Sequence, residues 1–234
     1  GYPLVVGEQG GRIIVVRSAT PSDTLSLDAG YGTPIDALAL SEDGRQLAAA
    51  QCLPTASGAC PRSQIVRFDA QTGAPLGAPT VVTGALSALA WSSNGRTLYA
   101  GGCPRTTPGA CTQGVVHPLA VGDAGLVALD KPALALGTRI TALATGADGR
   151  TLMVGGADGA VALATLDARG SPTVISGVIR RHTAAVLALS QVAGGFQSLD
   201  ALGHGARWVL DPAATRARAC ALLADPALRQ DACP

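Results

Sequence analysis

ITALATGADGRTLMVGG, from Ile140 to Gly156, is the stretch that decides the fold. Apolar residues alternate with small or polar ones as far as Thr145, the chain turns at Asp148-Gly149, and alternation resumes to Val154. Alternation with a period of two on both sides of a Gly-containing turn is the pattern of a β-hairpin. Two other segments repeat it: IDALALSEDGRQLAAA from Ile35 and LSALAWSSNGRTLYAGG from Leu86. A worn copy, AVLALSQVAGGFQSLD, runs from Ala185 to Asp200. The period is about fifty residues, which suits a four-stranded unit that cannot bury both of its faces alone. Such units stack side by side, and the pattern predicts an all-β chain built as a β-propeller of four-stranded antiparallel blades.

Composition agrees. The 234 residues are 47% hydrophobic, enough for a substantial core, and 30 Gly with 15 Pro against 14% charged residues favour short strands joined by turns. The net charge is +1, with arginines scattered singly, so no basic face for nucleic acid is expected. Aromatic residues make up 3%, too few for a platform that stacks single strands. Mean hydropathy is +0.31, yet the longest uncharged stretch, Ala70 to Asn94, is interrupted by Gly, Pro, Ser and Thr. It lacks the continuous apolar run of a membrane-spanning helix, so direct membrane insertion is not expected.

Between the hairpins lie the third and fourth strands. The clearest third strand is QIVRFDAQTGAPLGAP, Gln64 to Pro79, which alternates up to Phe68-Asp69 and turns at Thr72-Gly73. These residues resemble bacterial WD-repeat proteins, in which a strand closes with Trp-Asp and continues as Thr-Gly-x-Pro-Leu-Gly. Phe68 stands where that family has Trp. Weaker third strands are GVVHPLAV from Gly114 and GAVALATLD from Gly159 to Asp167. The last, ARWVLDP from Ala206 to Pro212, resembles the family's closing motif with its Trp displaced to Trp208. By this resemblance Phe68, Asp69, Trp208 and His182, in IRRHTAAVLALS, are structural residues. The imidazole of His182 would tie its blade together by hydrogen bonds.

The resemblance divides the chain into about five blades over residues 1–212 and a short helical cap or tail over 213–234. PLVVGEQGGRIIVVRS at the start reads as second and third strands without an innermost one, and the last blade reads as three strands. The expectation is therefore the C-terminal part of a longer propeller, with a compact five-bladed ring as the alternative. The tail, Asp211-Pro212, Arg218-Ala219-Cys220 and Cys233-Pro234, resembles the segment that follows the last blade in bacterial WD-repeat proteins fused to STAND-type signalling ATPases, proteases or kinases. The Asn-Leu-Thr and Trp usual in the middle of that segment are missing here.

Six cysteines fall into three local pairs: Cys52 with Cys60, Cys103 with Cys111, and Cys220 with Cys233. The first two pairs share a layout, CLPTASGAC and CPRTTPGAC, and interrupt the turn between second and third strands of successive blades. Cysteines at the two ends of one hairpin loop suit disulfides, which would favour a periplasmic or exported location. Buried free thiols and metal ligation stay open, although the spacing is wider than a zinc knuckle. A cytoplasmic location, common among the resembling ATPases, also stays open.

Catalysis finds little support. His204 lies in a turn and His117 in a strand before Pro118, and a Ser198/Asp200/His204 cluster is crowded along one hairpin without a strained nucleophile elbow. Glycosidase chemistry needs converging carboxylates, and the Glu residues are only Glu8 and Glu42. Asp43, Asp148 and Asp158 precede Gly in turns, where Asp bonds its own backbone. GGADGA lacks the Lys of a phosphate loop. No enzyme activity, cofactor or metal is expected. What remains is surface: the two Cys loops would stand side by side on one rim and offer Arg62, Arg105, Thr106 and Thr107 to a protein or peptide partner. Three readings follow. The first is a sensor or scaffold module of a larger bacterial signalling protein. The second is a free-standing exported propeller that docks envelope proteins. The third is an enzyme whose site straddles further blades.

Overall fold

The computed structural model describes residues 4–18, 20, 23–56, 58–104, 111–129 and 134–209. All regular structure among the described residues is β, arranged as five antiparallel sheets that follow one another in chain order. The first sheet holds β1 (Leu4–Gly7), β2 (Arg12–Val16) and β3 (Thr24–Asp28). The second holds β4 (Ile35–Leu40), β5 (Gln46–Leu53), β6 (Arg62–Asp69) and β7 (Thr80–Thr83). The third consists of β8 (Ala85–Trp91), β9 (Thr97–Cys103), β10 (Gly114–Gly122) and an outer strand in two pieces, β11 (Gly125–Ala128) and β12 (Leu134–Leu136). The fourth is β13 (Ile140–Thr145), β14 (Thr151–Gly156), β15 (Ala160–Leu166) and β16 (Pro172–Arg180). The fifth is β17 (Val186–Val192), β18 (Gly195–Asp200) and β19 (Gly205–Val209). The sheets are blades of a β-propeller. Residues 210–234, and with them the expected helical tail and Cys220 and Cys233, lie outside the described residues.

Each pair of successive blades encloses its own core. Ile13, Val15, Leu47 and Phe68 pack between the first and second blades, and Ile65, Leu89, Trp91 and Leu98 between the second and third. Tyr99, Ile140, Leu152 and Val154 fill the next interface, and Met153, Val186 and Phe196 the last. A second strand with a blade on either side is therefore buried on both faces: every residue of β9 is buried. This explains why these strands read as apolar or small throughout instead of alternating with exposed polar residues. The glycines ending them answer a steric demand. A Cβ at Gly101 would stand 2.7 Å from Ile140 Cγ2, and one at Gly155 2.8 Å from Val186 Cβ. Only a bare backbone lets the next inner strand approach so closely.

The inner strands β4, β8, β13 and β17 lie side by side and line a cavity of about 330 Å3 with Leu38, Leu89, Leu143 and Leu189. Each carries a register shift at the same place, leaving Asp36, Ser87, Thr141 and Leu187 as bulged residues. A bulge re-aims its side chain. The Ser87 hydroxyl donates to Ile140 O at 2.5 Å and the Thr141 hydroxyl to Val186 O at 2.6 Å, stitching each blade to the next. Asp36 breaks the pattern. An ionised carboxylate cannot donate, and its Oδ2 instead accepts the Cys52 N–H at 2.7 Å.

Pro118 explains the split outer strand of the third blade. Its carbonyl faces outward, accepting from Leu129 N at 3.0 Å, so its missing N–H would have faced the same neighbour. β11 pairs with Leu119–Gly122 and β12 with Gly114–Val116, one on either side of that defect. The outermost faces of the array have no neighbouring sheet among the described residues. Leu4 (63% exposed) marks the first blade's open face and Leu199 (44%) that of the fifth.

Candidate protein-interaction rim

The turns between second and third strands all meet the loops that lead into inner strands, so both sets lie on one rim. Ile35 N donates to Glu8 O at 3.3 Å, Gly84 N to Pro61 O at 2.8 Å, Ala157 N to Arg139 O at 2.9 Å, and Ala201 N to Ala185 O at 2.9 Å. On this rim the second and third blades carry the long loops. Cys52 and Cys60 are disulfide-bonded with their Cα atoms 5.6 Å apart, and Cys103 and Cys111 likewise at 5.8 Å. The two loops are neighbours: a Cβ at Gly84, beside Pro61, would stand 2.9 Å from Pro104 Cα. The Thr33 hydroxyl donates to Cys52 O at 3.2 Å and anchors the first loop to the strand connection beside it.

Arg62 is exposed at the start of β6, immediately after the first loop. Arg105, Thr106 and Thr107 belong to the second loop and lie outside the described residues. Asp36 is exposed at the same rim. Partial desolvation of its carboxyl pushes the pKa up, partly offset by the Cys52 N–H.

The fifth blade has no long loop, and its corner is held by a buried polar cluster. His182 Nε2 lies 2.7 Å from Ser198 Oγ, and His182 Nδ1 lies 3.2 Å from Asp200 Oδ2. The Trp208 indole donates to Ser198 Oγ at 2.7 Å. A carboxylate only accepts, so Nδ1 carries a proton toward Asp200, and the Ser198 hydroxyl has two acceptors to face, Nε2 and the Ala206 carbonyl at 3.5 Å. Burial works against the Asp200 charge. The backbone N–H groups of His204 and Leu202, together with the His182 ring, outweigh it and hold its pKa below the ordinary carboxyl value.

Serine, histidine and aspartate in this atom order are the parts of a hydrolase triad, but the site cannot act as one. Ser198 is 4% exposed, His182 6% and Asp200 1%, and the Ser198 hydroxyl already holds both an imidazole and an indole. A substrate carbonyl has no approach. His204, 67% exposed, stands 3.4 Å from the same Asp200 Oδ2, on its solvent side.

Register corrects one detail of the sequence reading. Trp208 is not displaced: it faces Phe196 across the strands as Phe68 faces Leu47. Phe68 is buried against the first blade, and Asp69 Oδ1 closes the following turn by accepting from Thr72 N at 2.8 Å and Gln71 N at 2.9 Å. The hydrogen bonds from Thr72, with that from Gln71, lower the Asp69 pKa. The sequence reading grouped Ser198 and Asp200 with His204, but His182 is the ring bonded to Ser198, whose counterparts at the same register position are Ala49, Ala100 and Val154. A lone polar residue at an otherwise apolar repeat position is the signal that could have found it.

His117 is half-buried in β10. Burial lowers its pKa against a hydrogen bond with the Thr83 backbone, and its Nε2 has no partner among the described residues. Among the described residues no three His, Cys, Asp or Glu side chains gather as a metal site.

No protein-family model matches the chain, and no curated protein matches it in sequence. Solved structures do. A structure of the mitotic checkpoint complex aligns at TM-score 0.63 and 18% identity, over 89% of this chain and 59% of that one. The Swd1 β-propeller domain of Myceliophteria thermophila aligns at 0.61 and 14%, over 91% and 63%. Chaetomium thermophilum Sqt1, bound to the N-terminus of a ribosomal protein, aligns at 0.62 and 17%, over 89% and 56%. The chain thus spans 56–63% of the length of these structures. At such identities the likeness carries the fold alone, a β-propeller.

Proposed function

We propose that this propeller is a non-enzymatic docking module whose loop rim, including Arg62, Arg105, Thr106 and Thr107, receives a protein or peptide partner. One observation carries the reading: two disulfide-closed loops stand next to each other on a rigid scaffold, while the fourth blade fills the same place with a tight turn at 157–159. Loops braced on a rigid scaffold are where recognition concentrates. Sqt1, with a ribosomal protein's N-terminus bound, is a propeller of this type with a protein partner. The tail motifs support placing the module in a larger bacterial signalling protein related to STAND-type proteins. The two disulfides favour the second reading, an exported or periplasmic docking factor, since such bonds persist in oxidising compartments.

The test is site-specific photo-crosslinking in the native host, with the crosslinker placed at Arg62 or Thr107 on the rim and at Arg150 on the opposite side. Discrete crosslinked partners are expected from the rim positions and not from Arg150. They should weaken when Arg105 and Thr107 are both replaced by Ala, with thermal stability unchanged. Equal crosslinking from both sides would overturn the reading. Thiol trapping in the same cells separates the two settings, because a reduced chain excludes the exported one.

A further inference from the structure

The charges are distributed unequally between the two rims. On the side of the four-residue hairpins, Arg45 stands near the charges of Asp43 and Asp69, and Arg150 shares its turn with Asp148, whose side-chain oxygen accepts the Arg150 backbone N–H. Arg17 pairs with Asp23 at 2.8 Å, and the buried Arg67 is held by Gln46 and by Gly122 O, near the Asp123 charge. The loop rim differs. From the second blade to the fifth it presents Arg62, Arg139, Arg180 and Arg181, all exposed. Only Arg180 has a carboxylate partner, Asp158 at 3.0 Å; the other three make no ion pair among the described residues.

These four residues form one continuous arc. Arg62 follows Pro61, whose carbonyl holds Gly84, and Gly84 abuts Pro104 of the second Cys loop. That loop leads into β10, whose first residue, Gly114, packs so near that a Cβ would stand 2.9 Å from Ile140 N, next to Arg139. Arg139 O holds Ala157 beside Asp158 and its partner Arg180. Arg181 follows directly, its guanidinium 5.9 Å from the Trp208 ring centroid. A guanidinium resting on an indole face is pre-placed while its N–H fork stays free for a carboxylate.

We infer that the loop rim recognises an acidic peptide, an extended segment rich in Asp and Glu whose carboxylates engage Arg139, Arg181 and Arg62. The inference rests on the reading of this rim as the docking face and names the chemistry of its partner. Guanidinium forks match carboxylates in paired geometry. Four arginines face Asp158 and Asp36 on this rim, a surplus too small for a nucleic-acid track, and the Trp208 ring is already covered by Arg181.

The experiment is fluorescence anisotropy of a labelled octapeptide of glutamate, with octalysine and a single-stranded oligonucleotide as comparisons, at two salt concentrations. Glutamate octapeptide binding is expected, weakened at least tenfold by Arg139→Glu with Arg181→Glu, and weakened by added salt. The opposite-rim variant, Arg45→Glu with Arg150→Glu, should bind like the parent, and thermal melts should show all forms folded. No binding of the glutamate peptide, equal loss in both variants, or preferential binding of the oligonucleotide would overturn the inference. Rim crosslinks to a native partner without glutamate binding would leave the docking face standing and remove only its acidic chemistry.

Discussion

In the fifth blade the corner between second and third strands is held by a buried network of His182, Asp200, Ser198 and Trp208; in the second and third blades the same corner is closed by a disulfide. The residues at the Asp200 position tell the rest. Gln51 occupies it in the second blade and donates to Thr33 O at 2.9 Å, while Gly102 and Gly156 occupy it in the third and fourth. A polar network inside a blade makes the corner rigid at the cost of burying charge, and it leaves no room for a longer turn. A disulfide secures the corner from outside and allows a longer loop to project. The difference teaches that rim variety in this chain is bought by changing the fastener, with the strands left alone.

The comparison can be broken most severely at His182. His182→Ala leaves the buried Asp200 and Ser198 without their ring, and a loss of about 2–3 kcal/mol is expected. For a chain of this size that is a fall in Tm of about 5–10 °C. A melting curve within a degree of the parent would show that the network is incidental to the corner.

Opening a disulfide is expected to cost less. Cys103→Ser with Cys111→Ser releases a loop of sequence separation 8, for which chain entropy sets a ceiling of about 2.5 kcal/mol. Urea unfolding should show the lower midpoint, and reducing agent, which also opens Cys52–Cys60, should lower the midpoint of the parent further than that of the variant. An unchanged midpoint would mean that hydrogen bonds alone close the loop.

The smallest effect is predicted where a bulged residue fails to stitch two blades. Asp36→Thr places a donor where Ser87 and Thr141 already bond the next blade, and a gain of about 0.5 kcal/mol is expected at neutral pH. Partial desolvation raises the Asp36 pKa, so the folded state holds the Asp36 proton more tightly than the unfolded chain does. The contribution of Asp36 is therefore fullest below about pH 4 and is lost as pH rises through its folded pKa. The advantage of the threonine variant over the parent should accordingly widen from pH 4 to pH 7. A constant difference across that range would sink the explanation.

Much of the fold was legible because each hairpin is local. Alternation around Asp43-Gly44, Asn94-Gly95 and Asp148-Gly149 specifies two strands and their turn without any distant partner. The paired cysteines were legible for the same reason, since both ends of each loop belong to one hairpin. The polar cluster was legible only in part: the resemblance marked His182 as a hydrogen-bonding residue, but not its partners. His182 lies 16 residues before Ser198, and Trp208 10 after it, and only strand register and the close packing of the turn bring them together. The arginine arc was equally hidden, because Arg62 and Arg181 come from blades far apart in sequence and in composition look like scattered single charges.

By itself, then, the sequence determined the repeating hairpin, the small residues at blade contacts and the two disulfide loops, all of which depend on neighbours within a few residues. Tertiary structure alone decided which faces meet, which serine becomes a buried partner and which arginines share a rim. Those outcomes depend on how blades stack, and stacking places side by side residues that the chain keeps about fifty positions or more apart.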